Sequence, residues 1–215
     1  MRTSRLEAFS DGVLAIIITV MVLELREPTG PRLYYLWHDT GAGLLTYLLS
    51  FAYVGVYWTN HHHMFQLTER VTGAILWANL ALLFCLSLLP FTTNWMDVTR
   101  LHTTPVVVYA INLLAAGVSY WILQETIIRS QGADSIMKRA VGRDLKGRGS
   151  MVGYVGAIIA AWAGGDGPGR IGIWIAGALF VAVAALWIIP DRRIATIVAS
   201  NYDLLPDTEA DADAD

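Results

Sequence analysis

Charge is what this chain has least of. Only 15% of its 215 residues are Asp, Glu, Lys or Arg and 55% are hydrophobic, whereas about a quarter of a soluble domain is charged. With a mean hydropathy of +0.48, this excludes a soluble globular domain and points to a bilayer. The formal net charge is −3 and the basic residues are spread through short loops, which excludes a nucleic-acid surface. Cysteine is limited to Cys85, inside an apolar run. That excludes a disulfide framework and a thiolate metal site, and the residue reads as a small core side chain. No span carries a Gly-x-Ser-x-Gly, His-Glu-x-x-His or Glu-x-x-His pattern, so the chain is not expected to be an enzyme or to hold a metal or cofactor. A TVGYG-like filter loop is missing, and the Gly-rich connection at 164–169 is too short to re-enter a membrane. No small-x-small cleavage site follows Arg2 and Arg5, and Asp11 interrupts the apolar run. The start is therefore read as a retained span rather than a secretory signal.

Six apolar runs of about twenty residues are present, at roughly 8–25, 41–60, 72–94, 104–128, 149–165 and 170–190. The expected fold is an all-α integral membrane protein with six transmembrane helices in one domain, 1–200. The acidic, apolar-poor end, 201–215, is expected to be a disordered tail. Between the first two runs, Arg26 to Asp39 holds two prolines and the rings of Tyr34, Tyr35 and Trp37, which suit a segment at headgroup level. Placing the N-terminus inside puts eleven of the fifteen basic residues in cytoplasmic segments and leaves Arg26, Arg32, Arg100 and Arg170 outside. By the positive-inside rule both termini are cytoplasmic. The basic loop 129–149 carries six of the eleven. It reads as a topology anchor, with binding of anionic lipid or of a regulatory partner as the alternative. In the fifth run Gly153, Gly156, Ala160 and Gly164 recur at near-helical spacing, which allows close approach of another helix.

The stretch Arg5 to Leu25 is the most informative. At about 100° per residue, Gly12, Ile16, Thr19 and Leu23 form a narrow stripe, and Asp11 projects about 110° away from it. An ionisable residue at the mouth of a span needs partners inside the bundle. The second run ends in YWTNHHHMF, Tyr57 to Phe65. Adjacent helical residues diverge too far to chelate together, so His61, His62 and His63 read as hydrogen-bonding groups rather than metal or haem ligands. With Asn60, they are the natural partners of Arg5, Ser10 and Asp11. Asn79 in the third run either joins them or bonds a neighbouring helix by itself. Glu24, Glu27 and Glu125 read as interfacial, solvated acids, with a proton relay or a cation-attracting rim as the alternative for the first two.

Arg5, Phe9, Ser10 and Asp11 spell RxxxFSD. Together with the Ile16 to Leu23 continuation, the Trp58-x-Asn60-His61-His62 element, Asn79 and Leu89-Pro90-Phe91, this resembles the endosomal and lysosomal potassium-channel family, in particular its single-repeat prokaryotic members. The resemblance implies a multi-pass homotetramer in the plasma membrane, permeable to potassium ions, with first helices lining a central pore and no carbonyl filter. It implies that Ile16 forms the narrowest hydrophobic ring, Thr19 a polar layer tied to cation preference, and Val20 and Leu23 flanking rings. Val20 stands where a leucine is common in the family, which leaves the tightness of that ring open. Arg5, Ser10 and Asp11 are implied to be structural. The alternative is a proton-coupled carrier or proton leak that uses Asp11 and the His61 to His63 cluster, since histidine titrates near neutrality.

Overall fold

In a computed structural model, residues 3–132, 135–141, 144–164 and 168–188 are described, and every regular element among them is helical. The expected tail, 201–215, lies outside the described residues. The order is α1 (Thr3–Leu23), α2 (Leu33–Tyr35), a π-helical turn (Leu36–Thr40), α3 (Gly41–Gln66), α4 (Gly73–Ser87), α5 (Leu89–Val98), α6 (Thr103–Gln131), α7 (Ile136–Val141), α8 (Leu145–Gly164) and α9 (Ile171–Ile188). Helix is the natural answer to such a composition, because it satisfies backbone N–H and C=O groups within one segment where no water reaches.

Among the described residues five segments are long and apolar enough to cross a membrane: Thr3–Leu23, Leu33–Gln66, Gly73–Val98, Thr103–Gln131 and Ile171–Ile188. This departs from the six runs in two places. The segment before the second run is not all connection. Pro28 and Pro31 end the irregular part, and from Leu33 the chain coils into α3 without a further breaker. Tyr34 and Trp37 stay exposed there. The fifth run forms the 20-residue helix α8, but Lys146, Gly147, Arg148 and Gly149 in its first turns dilute its hydropathy, so α8 is not among the five.

The third run is broken at Leu88, which ends α4 and precedes α5. Pro90 explains the break, since its nitrogen cannot donate to a carbonyl one turn back. At the α5–α6 corner Arg100 and Leu101 adopt positive φ, 53° and 58°. The guanidinium of Arg170 donates to both their carbonyls, so a basic residue expected outside closes a corner.

Helix α6 is the central post, touching α4, α5, α8 and α9. Tyr109, Leu113 and Ala116 on it are fully buried. Hydroxyl contacts tie the post to its neighbours. Ser50 lies 2.7 Å from the Thr93 hydroxyl and 3.0 Å from that of Tyr109 on the post, while beside the post Tyr53 of α3 donates to the Phe180 carbonyl of α9 at 2.7 Å.

The small residues of α8 face α9. A Cβ on Gly153 would lie 2.8 Å from the Val183 side chain, and one on Gly164 would lie 3.3 Å from the Gly172 backbone. The tightest point is Gly172, where a Cβ would sit 2.1 Å from the Ala160 carbonyl oxygen. Backbone cannot retreat as a flexible side chain can. Gly172→Ala is therefore expected to destabilise the bundle by about 3 kcal/mol or more, read as a fall in the thermal unfolding midpoint in detergent. Gly177→Ala, with nothing within 4 Å of its Cβ, should be neutral or stabilising by up to about 1 kcal/mol. Equal midpoints for the two variants would refute the seam.

Candidate functional site

Helix α1 has two opposed faces. Leu6, Ser10, Leu14, Ile17 and Met21 are buried, and α3, α4 and α5 are the helices packed on α1. The stripe of Gly12, Ile16, Thr19 and Leu23 lies about 150° round the helix from the centre of that face. It is uncovered: Ile16 is 62% exposed and Leu23 81%. Val20 borders it, partly exposed, and no atom comes within 4 Å of a Cβ built on Gly12. The Thr19 hydroxyl donates back to the Ala15 and Ile16 carbonyls, at 3.0 Å each. Its proton is thereby used within the helix, and the remaining lone pairs of the oxygen are free to face outward.

The buried face is held by a polar chain. Asn79, on α4, donates from Nδ2 to the Ser10 hydroxyl at 2.9 Å, and Ser10 donates to the Leu6 carbonyl at 2.9 Å. The other end of the Asn79 amide, Oδ1, lies 2.8 Å from His61 Nε2. An amide oxygen only accepts, so Nε2 carries the ring proton and His61 Nδ1 is a bare acceptor. His61 is 1% exposed, and Nδ1 finds no donor among the described residues.

On the flank of α1, two acids meet two donors of the antiparallel α3. Asp11 accepts from Trp58 Nε1 at 3.0 Å, and Glu7 Oε1 lies 2.5 Å from His62 Nδ1. Glu7 and Asp11 are four apart, as are Trp58 and His62, so side chains stacked on one face of each helix form successive rungs. Gln66, a further turn along, lies 2.8 Å from His62 Nε2. At the far end Glu24 accepts from Asn94 on α5 at 2.7 Å. Glu24 is thus an anchor of α1 rather than only a solvated acid.

These contacts divide the expected cluster. Ser10, His61 and Asn79 come together, and His62 is the histidine that meets α1 directly. Asp11 reaches Trp58, not the Asn60 to His63 group, because the antiparallel crossing sets it one turn earlier on α3. Asn60 turns away from α1: its amide donates to the Val56 carbonyl at 2.8 Å and its own carbonyl accepts from Tyr120 at 3.4 Å. His63 packs its ring 6.0 Å from that of His62. Arg5 and Phe9 are exposed, and Arg5 makes no ion pair among the described residues. Glu7 and Gln66 were missed. The signal that could have found them is the four-residue repeat of acids on α1 facing Trp58, His62 and Gln66. Among the described residues no group of acids, histidines and cysteines could hold a metal ion.

A multi-span apolar helical bundle is a membrane protein, and comparison with known proteins supplies its class. A family model described as Endosomal/lysosomal potassium channel TMEM175 matches residues 5–90. A potassium channel of Chryseobacterium sp. (strain P1-3) is 43% identical over 204 residues, covering 94% of this chain and all of the relative. The endosomal/lysosomal proton channel TMEM175 of Danio rerio is 34% identical over 96 residues, 43% of this chain and 18% of that one. The crystal structure of a lysosomal potassium-selective channel TMEM175 homolog from Chamaesiphon minutus superposes with a TM-score of 0.69 at 27% identity, covering 89% of this chain and 97% of the other. The chain belongs to the TMEM175 family: it is an ion channel, not an enzyme.

The buried chain should outweigh the exposed rungs. Asn79→Ala strands the Ser10 and His61 groups and is expected to cost about 1–3 kcal/mol. Trp58→Phe, at a side chain 49% exposed, should cost about 1 kcal/mol or less. Thermal unfolding of the two purified variants measures the difference, and a larger loss in Trp58→Phe would overturn the ranking.

Proposed function

We propose that the protein is a potassium-permeable channel of the plasma membrane, assembled as a homotetramer of six-span chains with both termini cytoplasmic. Helix α1 from each copy lines a central path, and potassium is the permeant ion. Ile16 forms the constriction, Val20 and Leu23 flank it, and no carbonyl filter is needed. The observation that carries this reading is the uncovered Ile16, Thr19 and Leu23 stripe on a helix whose opposite face is clamped. One stripe cannot enclose a path, so symmetry-related copies must meet on a common axis. The potassium-channel name of the Chryseobacterium relative and the potassium-selective description of the Chamaesiphon structure support the choice of ion.

Four facing branched side chains leave a narrow, dry throat, where loss of hydration opposes ion entry until the helices tilt or turn. One turn further along, four Thr19 oxygens with their protons directed into their own helices would present lone pairs to the path, which favours cations.

A second reading, proton movement through Asp11 and the His61 to His63 cluster, is favoured by the proton-channel name of the Danio relative and by the close Glu7 to His62 contact. Liposome flux separates the two. Ile16→Asn is expected to raise potassium flux and reduce preference over sodium, and each ~1.4 kcal/mol removed from the barrier is worth about tenfold in rate. Unchanged conductance and selectivity in Ile16→Asn would refute the isoleucine gate. Proton uptake without potassium, abolished in Asp11→Asn and His62→Gln, would favour the relay.

A further inference from the structure

Gly12 lies in the interior of α1, where glycine is costly relative to alanine. Elsewhere in the bundle the return for such a residue is visible: Gly153, Gly164 and Gly172 let α8 and α9 close on one another. Gly12 has no such return. A Cβ there would meet nothing within 4 Å. Its φ is not positive, and α1 runs through it without a break. Neither close packing nor a special backbone conformation calls for glycine at this position.

Its place along α1 suggests what does. Glu7, Ser10 and Asp11, the residues tied to His62, Asn79 and Trp58, all precede Gly12, and Asp11 is its immediate neighbour. Thr3 extends this hold by donating to the Thr68 carbonyl at 3.3 Å. Past Gly12, the next polar tie to another helix among the described residues is Glu24 with Asn94. Between the two ties α1 is packed through Leu14, Ile17 and Met21, and apolar contact is non-directional. The one hydroxyl of that stretch, Thr19, bonds back to the Ala15 and Ile16 carbonyls, an arrangement that loosens and bends helices. Ile16 is therefore flanked on the uncovered stripe by a residue with no side chain and by a back-bonded threonine.

We infer that α1 yields at Gly12, so that the Ile16 turn swings while the Glu7 to Asp11 end stays clamped to α3 and α4. Ile16 lies about 6 Å along the axis from Gly12, and a bend of about 20° there displaces it by about 2 Å. A compensating bend at Thr19 returns the chain to the Asn94 tie. Gly12 is then a positioning residue for permeation, acting through Ile16. That role rests on the reading of Ile16 as the constriction, whereas the pliancy of α1 does not.

Two measurements on the full-length protein test this. Backbone hydrogen exchange over 12–20, read by mass spectrometry in detergent, should slow about fivefold in Gly12→Ala, a variant whose added methyl has open space. In liposomes Gly12→Ala should lower potassium flux about fivefold. Placing Ile16→Asn in the same chain should erase that difference, so that the double variant and Ile16→Asn conduct alike within about twofold. Gly177→Ala, at the open glycine of α9, should alter neither readout. Unchanged exchange in Gly12→Ala would overturn the pliancy, whatever the flux. Slowed exchange with unchanged flux would overturn the positioning role. So would a loss of flux that persists in the double variant, since the methyl would then be narrowing the path at Gly12 itself. If Ile16→Asn alone conducts like the unaltered protein, the isoleucine reading falls and the role of Gly12 through Ile16 falls with it, while the exchange result still decides the pliancy.

Discussion

The rest of the structure depends on a one-sided hold on α1. Ser10, Asn79 and His61 form a buried hydrogen-bonded chain across three helices. In a medium without water, such a chain is costly to break, because each freed group is left unpaired. It therefore sets the rotation of α1 as well as its position. A turn of one residue, about 100°, would carry Ser10 out of reach of Asn79 and swing the branched stripe toward the bundle. The Asp11 to Trp58 and Glu7 to His62 rungs define the same register from the flank, and Glu24 with Asn94 closes the opposite end. Exposure of Ile16 is a consequence of what happens on the other side of its helix.

Helix α3 stands between the polar hold on α1 and the rest of the bundle. One of its faces carries Trp58, His61 and His62 toward α1 and α4, and another carries Tyr53, Tyr57 and Asn60 toward aromatic side chains of α6, α8 and α9. Behind it stand α6 and the α8–α9 pair, whose backbones meet at Gly164 and Gly172 too closely for a side chain to intervene. That seam gives the bundle behind α3 a firm backing.

Much of this was legible in the order of residues. The helical class, the apolar segments and the two faces of α1 follow from composition and a period near 3.6, and Gly153 and Gly164 announced a close helix contact. The pairing within the polar cluster was only half legible. Ser10, Asn79 and His61 could be grouped because a polar residue inside a span needs a partner. Asp11 was assigned to the wrong turn of α3 and Glu7 was missed, since the offset between antiparallel helices leaves no mark on either helix alone. The cluster of aromatic side chains between α3, α6, α8 and α9 was not legible at all. Its rings are scattered over four elements, and each reads singly as core.

The amino-acid sequence by itself determined that this is a helical membrane protein whose first span carries a branched stripe opposite a polar, packing face, because hydropathy and helical period are properties of contiguous residues. Only the tertiary structure decided which groups meet. Asp11 and Trp58 are 47 positions apart, and Ser10 and Asn79 are 69 apart. Helix crossing and offset, set by the packing of whole faces, bring such groups within hydrogen-bonding distance, and no local period encodes that offset.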